Sequence, residues 1–517
     1  MQVPQSLKHL SVTPLSLHSS LTTQVRLQLQ RRASLCSPEP GNNSKPNTFS
    51  NNLLNNLGGF TGTKPYIRVG GNTQDYALYN ASLPYAINGT YNLARSADYP
   101  TTIYIGPSFF ESYSTWPDTK YSHGFNLGLG GNNTAGWETL LETVPLACKA
   151  LQGGKLLWWE YGNEPDLYST SAQGPVRPPT WNESTYVSQW LNGTRHIKSQ
   201  LESACPDLTS DSTYGYLAPS FAGTNNHLNP IKTWADGLDV DKDIKLISSH
   251  NYIGGATQPG VTLQGTLMNH SSTVNSISSQ LAEAASLAYT GTPFILGETN
   301  SLYNEGAPGL SNAFGAALWG VDFNLWCASQ GIRRTHMHMG TDYRYASWQP
   351  IATNITTIGT KAPYYGNIAV AAMMGNLVKN EVQIANIALE SVFESAYAAY
   401  VDQKLARIAV VNMREYNYTV NGTSDVLNPG PRPSQTYEFA VPQGFGGSVE
   451  VQRLYANGSD AISGITWDGW SYNWELDLGN PVRLRNVTVG EIAKVQDGSV
   501  SVSVPDSTAV ILNFGEW

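Results

Sequence analysis

Charge is scarce in this sequence: 13% of its residues are Asp, Glu, Lys or Arg, against about 25% in an average chain. With a formal net charge of −9 it lacks the basic footprint that nucleic acid or an anionic membrane demands. Neither is expected as a partner, and an anionic substrate would have to be attracted locally. No stretch reaches the ~20 apolar residues of a membrane span. Residues 1–40 hold no continuous apolar run of the roughly 7–15 residues that a secretion signal needs. They carry Lys8, Arg26, Arg31 and Arg32 against the single acid Glu39. Cysteine is sparse too. Cys36, Cys148, Cys205 and Cys327 show no CxxC or other metal-ligand spacing, so no metal and no disulfide-built fold is expected. Cys148 and Cys205 each fall near the end of a predicted helix, which allows either one bridge or two buried thiols.

Glycine and aromatic residues are plentiful: 48 Gly, 28 Tyr and 14 Trp in 517 residues. That fits an uncharged, aromatic-lined surface that stacks on sugar rings, and equally an extracellular β-rich protein. Asn-x-Ser/Thr sequons recur from Asn42 to Asn486, which points to a secreted, glycosylated chain.

From about residue 60 strand-like and helix-like patterns alternate. Strands are read at 66–71, 123–129, 156–161, 217–222, 244–252, 294–296 and 332–339. Helices are read near 136–151, 184–204, 274–289, 310–329 and 363–376. This rhythm predicts a (β/α)₈ barrel over residues 41–377. A first strand should precede the one at 66, yet 41–60 reads as a polar, Asn-rich helix-like stretch, so that strand is either missing or hidden. Residues 1–40 are expected to lie outside the fold. Beyond 378, period-two segments such as Ser499–Val504 are broken by Gly, Pro, Asn and Asp, predicting an antiparallel β-sandwich over 378–517.

Two short apolar runs break at glycine and end on a carboxylate. They are Trp159-Glu-Tyr-Gly-Asn-Glu164 and Phe294-Ile-Leu-Gly-Glu298. Barrel enzymes carry their active sites at the carboxyl ends of the strands. Two carboxyls delivered there suit a retaining glycosidase, which places them about 5–5.5 Å apart. Glu164 is assigned as acid/base and Glu298 as nucleophile. Glu160 has the same strand parity as Glu164 but lies too deep. Arg68 is read as an interior charge that orients a carboxylate.

The segments Arg68-Val-Gly-Gly-Asn-Thr-Gln-Asp75, Tyr161-Gly-Asn-Glu-Pro-Asp166, Ser249-His-Asn-Tyr252, Gly297-Glu-Thr-Asn-Ser-Leu-Tyr303 and Ala307–Phe314 resemble glycoside hydrolase family 79, the β-glucuronidase and heparanase family. The resemblance covers about residues 45–517. It implies a metal-free and cofactor-free exo-acting β-glucuronidase, secreted and monomeric. Its substrate would be an oligosaccharide or polysaccharide ending in β-glucuronate or the 4-O-methyl form. It also implies substrate contacts. Asn163 would meet the sugar 2-hydroxyl, and Asn72 and Thr73 the far hydroxyls. Tyr252 would hold Glu298 in line, with His250 beside it. Tyr303 and either Tyr345 or Tyr343 would receive the glucuronate carboxylate, since Tyr hydroxyls bind an anion without adding charge. A heparanase-like endo-acting enzyme and an inactive carbohydrate-binding relative are the alternatives. Residues 1–40 do not resemble the secretion signal, sandwich strand and first barrel strand with which family members begin.

Overall fold

A computed structural model describes residues 20–23, 46–94, 100–131, 133–171, 174–419, 430–441, 445 and 447–515. Its centre is an eight-stranded parallel sheet. The strands, in chain order, are β1 (Ser20–Thr23), β2 (Ile67–Val69), β3 (Tyr121–Phe125), β4 (Leu156–Tyr161), β5 (Tyr216–Phe221), β6 (Ile244–Gly255), β7 (Phe294–Tyr303) and β8 (Arg334–Met337). From β2 to β8 sequential strands are neighbours, and β1 lies parallel to β8 in the register Ser20↔Arg334 to Thr23↔Met337. The end strands β1 and β2 come within 8 Å of each other. No ladder joins them among the described residues.

The first strand is therefore present, inside the segment expected to lie outside the fold. Its sequence, Ser-Leu-Thr-Thr, is too short and too polar to register as a buried strand. The stretch 41–60, searched for that strand, instead supplies the helix Thr48–Thr61. It buries Phe49, Leu53, Leu54 and Leu57, is capped by Asn47 and stops at the left-handed Gly62.

Helices Thr134–Leu151 and Glu183–Ala204 are tied at their far ends by a Cys148–Cys205 disulfide, so the two cysteines are bridged rather than free. Cys327 is a buried free thiol, and Cys36 lies outside the described residues. Helices Phe314–Ser329 and Ala362–Met374 are buried on nearly every face. Such all-round burial occurs where a helix sits between two layers. Here the second layer is an antiparallel β-sandwich. One sheet holds 382–387, 394–401, 404–412, 508–513 and 448–455; the other is built on 434–440 and 499–505, and 491–496 pairs with both 448–455 and 499–505. Alternate residues such as Val500, Val502 and Val504 meet Val449, Val451, Val510 and Leu512 in its core, as the period-two pattern demands.

Candidate active site

The polar residues of the barrel interior converge on Arg68. It is wholly buried on β2. Nε donates to Glu160 Oε2 at 2.7 Å, Nη1 to Glu298 Oε2 at 2.9 Å, and Nη2 to Asn163 Oδ1 at 2.7 Å. Glu160 lies deep in β4, where its other oxygen accepts from Ser220 at 2.5 Å. It is a structural counter-charge, as its depth predicts.

Glu164 follows β4 in the left-handed conformation (φ 52°), just before Pro165 and a short 3-10 turn. A non-glycine residue is rarely found there, and such backbone is held by its surroundings. The Glu164 N–H donates to the Ser220 carbonyl at 2.9 Å. Its Oε1 lies 3.0 Å from His250 Nδ1. His250, expected beside Tyr252 and Glu298, is fully buried, and its ring touches Glu164. Burial holds its pKa down to about 4, leaving it neutral at ordinary pH.

Glu298 sits within β7, which runs seven residues past the predicted end at Leu296 to reach Tyr303. The pairing with β6 slips between Leu296 and Glu298. At this irregularity a Cβ on Gly297 would come 2.0 Å from Ser248 Oγ, so any larger residue needs the serine side chain to move. The slip aims Glu298 at the mouth. Oε1 accepts from the Tyr252 hydroxyl at 2.7 Å and lies 3.2 Å from His338 Nδ1. Burial alone would raise its pKa. The neighbouring His338, His250 and Arg68, with the Tyr252 hydrogen bond, outweigh it and hold the carboxyl well below its usual range.

Glu164, His250 and Glu298 present donor atoms all within 4.8 Å of one another. Among the described residues this is the one His/Cys/Asp/Glu group close enough to hold a metal ion. It also places the two carboxyls at the short spacing of a retaining pair.

The remaining expected residues surround this centre. Asn163 is fixed on three sides: Arg68 holds its Oδ1, its Nδ2 donates to Asn72 Oδ1 at 2.9 Å, and its backbone N–H donates to Asp75 Oδ2 at 2.7 Å. Asn72 is exposed. Thr73 lines a mainly apolar cavity of about 70 Å³ that opens between β3, the helix Thr134–Leu151 and a small inserted sheet (77–79, 87–90, 102–105). Tyr345 places its hydroxyl 2.8 Å from His338 Nδ1. Tyr343 is fully buried, its ring edge-on to those of His338 and Tyr345. Tyr303 stands apart at the tip of β7. It is 47% exposed, close enough that a Cβ on Gly255 would strike its ring, and no hydrogen bond joins it to the carboxyl cluster.

Sequence reasoning missed His338 and Asp75. His338 lies just past β8 in a run of alternating His and Met, Thr335-His-Met-His-Met339, whose inward parity was the available signal. Asp75 is buried and accepts from the N–H groups of Leu127, Gly128 and Asn163 and from the Tyr168 hydroxyl. It pins the loop after β4 to the loop after β2.

A (β/α)₈ barrel with two carboxyls at this spacing at its mouth, one of them ion-paired, defines a glycoside hydrolase. Residues 396–511 match the model of the glycosyl hydrolase family 79 C-terminal beta domain. A β-glucuronidase from Neurospora crassa is 63% identical over 87% of this chain and 84% of its own length. One from Aspergillus niger is 59% identical over 92% and 88%. The solved structure of a 4-O-α-L-rhamnosyl-β-D-glucuronidase from Fusarium oxysporum, in complex with Rha-GlcA, superimposes with a TM-score of 0.70 at 25% identity, covering 90% of this chain and 92% of that one. The chain belongs to glycoside hydrolase family 79.

Proposed function

We propose that this protein is a retaining, exo-acting β-glucuronidase that removes terminal glucuronate or its 4-O-methyl form from cell-wall or arabinogalactan-type glycans. The observation that carries the reading is the Glu164–Glu298 pair, of which Glu298 alone is bonded to Arg68. Two unit charges about 5 Å apart at an effective dielectric near 20 repel by roughly 3 kcal/mol. The proton therefore belongs on the carboxyl without the guanidinium, which makes Glu164 the acid and Glu298 the ionised nucleophile. Glu298 attacks the anomeric carbon while Glu164 protonates the departing oxygen. Glu164 then removes a proton from the water that opens the glycosyl ester. Arg68 and Tyr252 keep the Glu298 carboxylate in line, and Asn163, held rigid by Arg68, Asn72 and Asp75, is placed to meet the sugar 2-hydroxyl. Tyr345, with Tyr303 further out, supplies neutral hydroxyls for the glucuronate carboxylate.

Hydrolysis of an aryl β-glucuronide in preference to the aryl β-glucoside and to intact heparan sulfate is the expected result. A preference for the glucoside overturns the uronate reading, and cleavage of heparan sulfate favours an endo-acting enzyme. Glu298→Ala should abolish hydrolysis; full activity in that variant removes the nucleophile assignment. Sequon residues Asn80, Asn88, Asn192 and Asn354 are exposed, which supports a secreted glycoprotein. A mass shift of the native protein on endoglycosidase treatment tests this.

A further inference from the structure

One histidine of the nucleophile cluster has no part in the double displacement. His338 is held by its own backbone: its N–H donates to the Thr299 carbonyl at 2.7 Å, and its carbonyl accepts from Asn300 Nδ2 at 2.8 Å. The same Asn300 amide reaches the Tyr345 carbonyl at 3.4 Å, so one side chain on β7 fixes both residues. A single ring atom, Nδ1, then faces three oxygens. The Tyr252 and Tyr345 hydroxyls each lie at 2.8 Å, and Glu298 Oε1 at 3.2 Å.

The protons at hand decide which of these bonds can coexist. Ionised Glu298 only accepts, and Tyr252 donates to it at 2.7 Å. Nδ1 offers either one lone pair or one N–H. If Nδ1 is bare, the hydroxyl proton left to satisfy it is that of Tyr345, which must then point at the ring. If Nδ1 carries hydrogen, it donates to the Tyr252 oxygen or to Glu298 Oε1, and Tyr345 can turn its proton outward. The charged and titratable groups facing the ring are Glu298 from β7, Tyr252 from β6, and Tyr343 and Tyr345 from the loop after β8; Arg68 from β2 acts through the other oxygen of Glu298.

We propose that His338 is the positioning residue that couples uronate recognition to the nucleophile: with hydrogen on Nδ1 it holds Tyr252 against Glu298 and releases the Tyr345 proton to the substrate carboxylate. This rests on the β-glucuronidase reading and on Tyr345 as a carboxylate donor. It explains how an anionic substituent is admitted beside an ionised nucleophile. The same ring that steadies Glu298 frees a neutral donor for the incoming charge.

His338→Phe removes both the lone pair and the N–H at similar volume, whereas His338→Asn keeps an amide N–H near the Nδ1 position. These two, Tyr345→Phe, and the double His338→Phe/Tyr345→Phe are to be compared on aryl β-glucuronide and aryl β-glucoside, once near-UV circular dichroism shows native packing. His338→Phe should lower kcat/KM on the glucuronide about 100-fold and the glucuronide-to-glucoside ratio about tenfold. His338→Asn should restore the ratio. In the Tyr345→Phe background His338→Phe should leave the ratio unchanged, since the two residues act on one proton. Equal losses on both substrates, or a change of ratio that persists without the Tyr345 hydroxyl, overturn the coupling. A folded His338→Asn that does not restore the ratio overturns it as well. Wild-type protein that prefers the glucoside would instead bring down the underlying β-glucuronidase reading.

Discussion

Arg68 and Glu164 show how single residues divide the work of the site. Arg68 is wholly buried and has three nitrogens on three different acceptors, two of them carboxylates. Removing the guanidinium leaves Glu160 and Glu298 buried together without a counter-charge. Loss of one partner from a buried pair costs about 3–5 kcal/mol, so Arg68→Met should lower the denaturant midpoint by that equivalent and abolish hydrolysis. Glu164 is less enclosed, with 15% of its side chain exposed, as a group that must reach a glycosidic oxygen requires. Glu164→Gln should cost about 10²–10⁴ in rate on substrates with poor leaving groups and much less on dinitrophenyl glucuronide, whose leaving group needs no proton. Azide added to Glu164→Ala should yield the β-configured glucuronosyl azide, which reports retention. An α-configured product would make the enzyme inverting.

At the scale of the element, β7 decides the geometry of the nucleophile. A regular strand would point residues 296, 298 and 300 to one face, but the slipped register around Gly297 resets that alternation locally. Gly297→Ala would drive a methyl to within 2.0 Å of Ser248 Oγ. It should displace Glu298 and lower kcat at least 100-fold, with a stability loss of about 1–3 kcal/mol. Gly297→Ala combined with Ser248→Ala should recover part of both, because the struck atom is then gone. No recovery would mean that the backbone, rather than this contact, requires glycine. The two carboxyl-bearing strands were legible because each apolar run is short and ends at glycine. The slip was not legible, because a register belongs to a pair of strands.

Across the whole molecule, burial sets a pH dependence of stability. It raises the pKa of Asp75 and Asp243 to about 6, of Asp166 to about 7 and of Glu283 to about 8. Each of these groups keeps its proton in the folded chain where the unfolded chain has lost it, so each loses stability as pH rises through its folded value. Burial also lowers His123 to about 3 and His250 to about 4. These contribute stability that is lost as pH falls from 6.5 towards 4, opposing the carboxyls in that window. Above 6.5 the histidines no longer count, while Asp166 and Glu283 still lose protons. The melting temperature should therefore fall as pH rises from about 4.5 to 8, since four raised carboxyls outnumber the two lowered histidines below 6.5 and Asp166 and Glu283 go on losing protons above it. Glu283→Gln should flatten that fall. A melting temperature that rises towards pH 8 would contradict the burial of these acids.

The barrel rhythm, the sandwich beyond residue 378 and the carboxylates Glu164 and Glu298 were set by the sequence alone. Apolar periodicity, glycine breaks and turn residues are local signals, and the family motifs lie in continuous segments. Tertiary structure decided what depends on distance between separate segments. It chose Ser20–Thr23 as the strand beside β8, joined Cys148 to Cys205, turned His250 onto Glu164 and brought His338 to the nucleophile. It also put the Tyr345 hydroxyl in hydrogen-bond reach of that cluster. In each case the deciding quantity was a contact a few ångströms long between residues remote in the chain, which no local pattern encodes.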